Sequence, residues 1–133
     1  MNGYLMHEAR WTAGKDTFIE SLAAENSYGV VFEDDGDAAF FYAVEKTGEE
    51  LSILDALHIH ETAEDAEPLP AAELKIIWSR DWLKCALVLD GYVHALYDFE
   101  NQGGYNINEF PPPNELWTKS DRTLTPELIA KFF

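Results

Sequence analysis

Residues 74–99 read LKIIWSRDWLKCALVLDGYVHALYDF. Three short apolar runs lie here: Leu74 to Ser79, Lys84 to Asp90 and Tyr92 to Phe99. Arg80 to Leu83 separates the first two, and Asp90-Gly91 the second two. Asp-Gly between apolar runs marks a tight hairpin, because glycine accepts the positive φ that such turns demand. The stretch is expected to form three antiparallel strands, a meander at the centre of a sheet.

The flanking sequence extends the same pattern. Tyr28 to Glu33 (YGVVFE) and Ala38 to Glu45 (AAFFYAVE) bracket the turn Asp34-Asp35-Gly36-Asp37, a second hairpin. After a polar turn from Lys46 to Glu50, Ser52 to His60 alternates as a strand should. Asp16 to Leu22 fits helix or strand. The β-prone Thr17-Phe18-Ile19 favours strand, since seven residues make a marginal helix. Met1 to Gly14 has no clear period and is expected to be irregular. Glu61 to Ala72 is acidic, carries Pro68 and Pro70, and reads as a surface loop. Gly103-Gly104 and Pro111-Pro112-Pro113 argue against regular structure after Phe99. Tyr105, Ile107, Phe110 and Trp117 imply that this segment packs over the sheet. Thr125-Pro126 opens a short helix to Phe133, with threonine as N-cap and Leu128, Ile129, Phe132 and Phe133 as its apolar stripe. The expected fold class is α+β and mostly β: one domain over residues 1–133, a single antiparallel meander sheet of about seven strands with a short C-terminal helix.

Composition narrows the function classes. Hydrophobic residues make up 47% of the 133, enough for a core without disulfides. The one cysteine, Cys85, sits in an apolar run and reads as a core residue. MNGYLMHEARW carries no apolar signal-peptide region, and no run is long enough to span a bilayer, so a cytoplasmic protein is expected. Nine Lys and Arg face 25 Asp and Glu, a formal net charge of −16. That surface repels nucleic acid and anionic lipid, and favours a basic protein partner.

Few residues suggest chemistry. His58 and His60, two apart on one strand, are expected to leave the same face, and His94 and Asp98 share a face of another. Together they are weak candidates for a metal site; part-buried structural histidines are the plainer reading. Asp55 is expected to share a face with Ile53, Leu57 and Ile59. A carboxylate there must find a partner or have its pKa raised. A structural carboxylate bonded to Ser, Tyr, Trp or backbone donors is favoured over a catalytic acid. The chain contains no phosphate-binding glycine loop, nucleophile elbow or CxxC pair. No cofactor and no catalytic residue is assigned.

Four blocks resemble an uncharacterised bacterial family catalogued as domain of unknown function 2251. They are GVVFEDDG from Gly29 to Gly36 with Phe41-Tyr42-Ala43; ILDALHI from Ile53 to Ile59; Ile77-Trp78-Ser79; and His94-Ala95 through Asp98-Phe99 to Phe110-Pro111. The resemblance implies a small bacterial domain and assigns no activity or functional residue. Size, acidity and the lack of catalytic motifs also resemble, far more loosely, the immunity proteins that neutralise bacterial toxins, an analogy only.

The expected function is therefore binding: a small acidic protein, in the manner of an immunity protein, that docks a basic partner such as a toxin domain. The expected contact residues are Glu33, Asp34, Asp35 and Asp37 at the hairpin tip, with Asp98 and Glu100 second. The alternatives are a structural or regulatory module of a larger assembly, and a His/Asp metal-dependent enzyme.

Overall fold

The computed structural model describes residues 1–63 and 67–133. The described residues form nine strands: β1 (Tyr4–Trp11), β2 (Thr17–Leu22), β3 (Tyr28–Asp34), β4 (Ala38–Thr47), β5 (Glu50–Glu61), β6 (Ala72–Trp78), β7 (Lys84–Leu89), β8 (Tyr92–Asp98) and β9 (Gly103–Asn106). One helix, α1 (Pro126–Phe132), closes the chain. The seven strands expected from the sequence all form, and every sheet pairing is antiparallel.

They do not make one sheet. The strands form a five-stranded sheet, in the order β1-β6-β7-β8-β9, and a four-stranded sheet, β2-β3-β4-β5. The correction has a specific cause. Tyr4 to Trp11, expected to be irregular, is a strand that pairs with β6, and the whole β2–β5 meander is inserted between these partners. An extra residue at Met6 breaks the alternation of β1, which hid it in the sequence.

The two sheets pack face to face. Val30, Phe32, Phe41 and Leu57 from one meet Leu74, Ile76, Trp78, Leu87 and Tyr97 from the other in a single buried cluster. Three buried hydrogen bonds cross the layer. Trp78 Nε1 donates to Ser21 Oγ at 3.0 Å, Tyr97 Oη to the Phe41 carbonyl at 2.6 Å, and Trp11 Nε1 to Asp34 Oδ2 at 2.9 Å. Each lets a large aromatic ring fill the core without stranding its polar atom.

The outer face of the five-stranded sheet is covered as well. Ala86, Val88 and Leu96 pack beneath Leu124, Leu128, Phe132 and Phe133. Thr125 caps this helix as expected, its hydroxyl accepting from the Leu128 N–H at 3.1 Å. All six residues of β7 are buried in consequence.

The expected turns hold. Asp90 and Gly91 both take positive φ, 50° and 83°, as the two-residue hairpin requires. Gly103 and Gly104, expected to exclude regular structure, instead form the first half of β9. A Cβ on Gly104 would come within 2.8 Å of both Asp55 Oδ2 and Tyr97 Cε1. Glycine is needed there for space.

Candidate functional site

The six carboxylates expected to meet a partner fall into three groups. Asp34 and Asp98 are buried. Asp34 accepts from Trp11 Nε1 and the N–H groups of Gly14 and Gly36, each at 2.9 Å. It locks the β3–β4 turn to the end of β1. Asp98 pairs with buried Lys84 at 3.3 Å and accepts from Asn101 and from the Glu100 N–H. Neither presents charge at the surface, which corrects their expected place in a contact patch. Glu100 is exposed, but it also engages Lys84, at 3.1 Å.

Three carboxylates remain at the hairpin. Asp35 and Asp37 are exposed and Glu33 is half-buried. The N–H groups of Ala38 and Asp37 donate to Asp35 Oδ1 and hold its carboxyl below the usual range. The turn thus presents a fixed negative charge rather than a loose one.

The three histidines are not brought together: His60 and His94 line one pocket, and His58 lies apart from them. Ala39 pairs with His60 and the adjacent Phe40 with His58, so Ile59 is an extra residue in β5. Neighbours on β4 point to opposite faces, and their partners follow them. His58 therefore lies outside, edge-on to Phe40 and Phe110, while His60 turns inward, edge-on to Trp11. The expectation that they share a face fails on that one bulge. A second bulge, at His94, separates it from Asp98: His94 lines a pocket of about 420 Å³ with His60 and Trp11, whereas Asp98 meets Lys84 beside α1. Among the described residues, no group of three or more His, Cys, Asp or Glu is placed to hold a metal ion.

Asp55 has a backbone donor as expected, the Ala56 N–H at 2.9 Å, but its main partners are not among those expected. Arg122 grips it with both terminal nitrogens, at 2.8 and 2.9 Å, and the Thr118 hydroxyl donates to it at 2.6 Å. Arg122 is 1% exposed and also donates to the carbonyls of Gly104, Pro111 and Pro112. This clasp fastens the segment after β9 to β5. Nothing in SDRTL marks Arg122 as the partner; only the demand made by a carboxylate in ILDAL pointed to one. Ile53 does not share Asp55's face, because Leu54 is a further extra residue.

That last bulge leaves Ile53 on the outer face of the four-stranded sheet. Cross-strand rows there read Phe18–Glu33–Phe40–His58, Glu20–Val31–Tyr42–Ala56 and Leu22–Gly29–Val44–Ile53, with Lys46 and Leu51 beyond. Phe18 is 62% exposed and Ile53 67%. Burial, then the charges of Glu33 and Asp35, raise the Tyr42 phenol pKa, so the acidic turn reaches onto this face. Among the described residues, no helix is long and apolar enough to cross a membrane.

The family model described as an uncharacterized protein conserved in bacteria, domain of unknown function 2251, matches residues 11–133. The chain belongs to this family. An uncharacterized protein of Haemophilus influenzae is 34% identical over 98 residues, 72% of this chain. The match spans 61% of that relative's length. No solved structure matches the chain.

Proposed function

We propose that this family member is a small acidic binding protein that docks a basic protein partner, in the manner of an immunity protein covering a toxin. The observation that carries the reading is the excess of 25 acidic over 9 basic residues, with Asp35 and Asp37 held exposed at a rigid turn. Fixed charge of this kind steers a cationic partner and sets its orientation.

The test is co-purification from the native host at low salt, with elution by a salt gradient. A basic protein should be retained and released by salt. Asp35→Asn with Asp37→Asn keeps side-chain oxygens as acceptors for the turn and removes two charges. That variant should release the partner at lower salt. Failure to retain any salt-sensitive basic protein sinks the proposal. A toxin gene beside this one would support the immunity reading, and a retained partner without toxic activity would argue against it.

A further inference from the structure

The two outer faces of this sandwich are treated differently. On the five-stranded sheet, α1 covers Ala86, Val88 and Leu96. On the four-stranded sheet, β3 and β4 are apolar on both sides, in Val30-Val31-Phe32 and Phe40-Phe41-Tyr42-Ala43-Val44. Strands with that pattern are normally covered on both faces, whereas a solvated face alternates with polar residues. Yet Phe18, Leu51 and Ile53 lie exposed around Val31, Tyr42 and Val44, lining a depression of about 230 Å³. A contiguous apolar face of this kind marks a binding surface more often than scattered exposed side chains do.

Its charge says what fits. Glu20 and Glu33 stand in the rows beside Phe18, Val31 and Tyr42, and Asp35 acts on the Tyr42 phenol. Lys46 is the one cation in these rows, at the far end beside Leu51. Carboxylates next to aromatic faces suit a guanidinium, which can stack on a ring while it pairs with an acid. A second copy of this chain would bring a surface of the same sign against this one, at a net −16 on each side. Like charges so juxtaposed oppose association.

We infer that the outer face of the β2–β5 sheet is the docking surface, and that its occupant is a basic protein segment in which arginines alternate with apolar side chains. The segment occupies on this sheet the place that α1 occupies on the other. This inference rests on the binding reading above and adds to it the surface and the chemistry of the partner.

Two short peptides test it, one alternating arginine with leucine and one alternating arginine with serine, matched in length and charge. The arginine–leucine peptide should bind about ten-fold more tightly, a difference of roughly 1.4 kcal/mol. That advantage should vanish in the Phe18→Ser/Ile53→Ser variant, whose thermal midpoint should stay that of the parent because both side chains are exposed. Resonances of Phe18, Tyr42 and Ile53 should shift on titration with the leucine peptide. Equal affinity for the two peptides, or an advantage that survives in the variant, overturns the docking face and leaves the charge reading standing. Failure of both peptides to bind overturns both.

Discussion

At the scale of single residues, Asp55 and Arg122 carry the largest consequence. Each is held by several partners and neither reaches solvent. Breaking a buried pair leaves one charge uncompensated, which costs about 3–5 kcal/mol. Asp55→Ala should therefore lose that much in urea unfolding. Thr118→Val removes one hydroxyl donor to the carboxylate and should lose about 1.5–3 kcal/mol. If the two cost the same, the arginine contributes nothing to the clasp. Alkali acts on other buried groups. Burial, then the Asp55 charge, pushes the Tyr97 phenol well up, with Arg122 opposing, and burial alone does the same to the Cys85 thiol. The folded protein thus holds these protons more tightly than the unfolded chain does. Their contribution is complete below the unfolded-state values, about 8.5 for cysteine and 10 for tyrosine, and is lost as pH rises toward and through the folded ones. Urea midpoints should be level below about pH 8, begin to fall beyond about pH 8.5 and fall more steeply beyond about pH 10. Tyr97→Phe should make that alkaline fall shallower; an unchanged slope would exclude Tyr97 as its source.

At the scale of elements, strands announced by turn chemistry were legible and strands defined by distant partners were not. Asp90-Gly91 and the Asp34 to Asp37 turn placed four strands because the turn residues themselves specify the reversal. β1 is exposed along most of its length and bulged at Met6, so no apolar period marks it. β9 is two glycines, a tyrosine and an asparagine, with Gly104 giving clearance around Tyr97 and Asp55. The faces of the histidines and of Asp55 depart from simple alternation for a shared reason. Period-two alternation survives only between bulges, and β5 has two, at Leu54 and Ile59. α1, by contrast, was readable from its cap. Thr125→Ala removes the acceptor of the Leu128 N–H and should cost about 1 kcal/mol. Urea unfolding checks this, and no loss would show that α1 is held by packing on Ala86, Val88 and Leu96 alone.

At the scale of the whole molecule, the sandwich of two sheets was beyond the sequence, because the β1–β6 pairing joins residues on either side of four other strands. The acidic surface was legible at once, but not which acids are spent inside: Asp34 and Asp98 look in the sequence like their exposed neighbours. The surviving surface charge repels itself, and salt screens that repulsion. Raising NaCl from low to about 0.5 M should add about 1 kcal/mol of stability, a shift of about 4 °C in thermal midpoint for a chain of this size. A midpoint that falls with salt would mean that attractive pairs such as Lys84–Asp98 outweigh the repulsion. The clasp bears, finally, on how the chain is made. Arg122 follows Asp55 by 67 positions, so the ribosome delivers the carboxylate long before the cation that answers it. A nascent polypeptide halted before that arginine emerges would carry all nine strands with an unanswered anion at their seam. Such a chain should be less stable than the full one, since a buried charge without its partner costs about 3–5 kcal/mol.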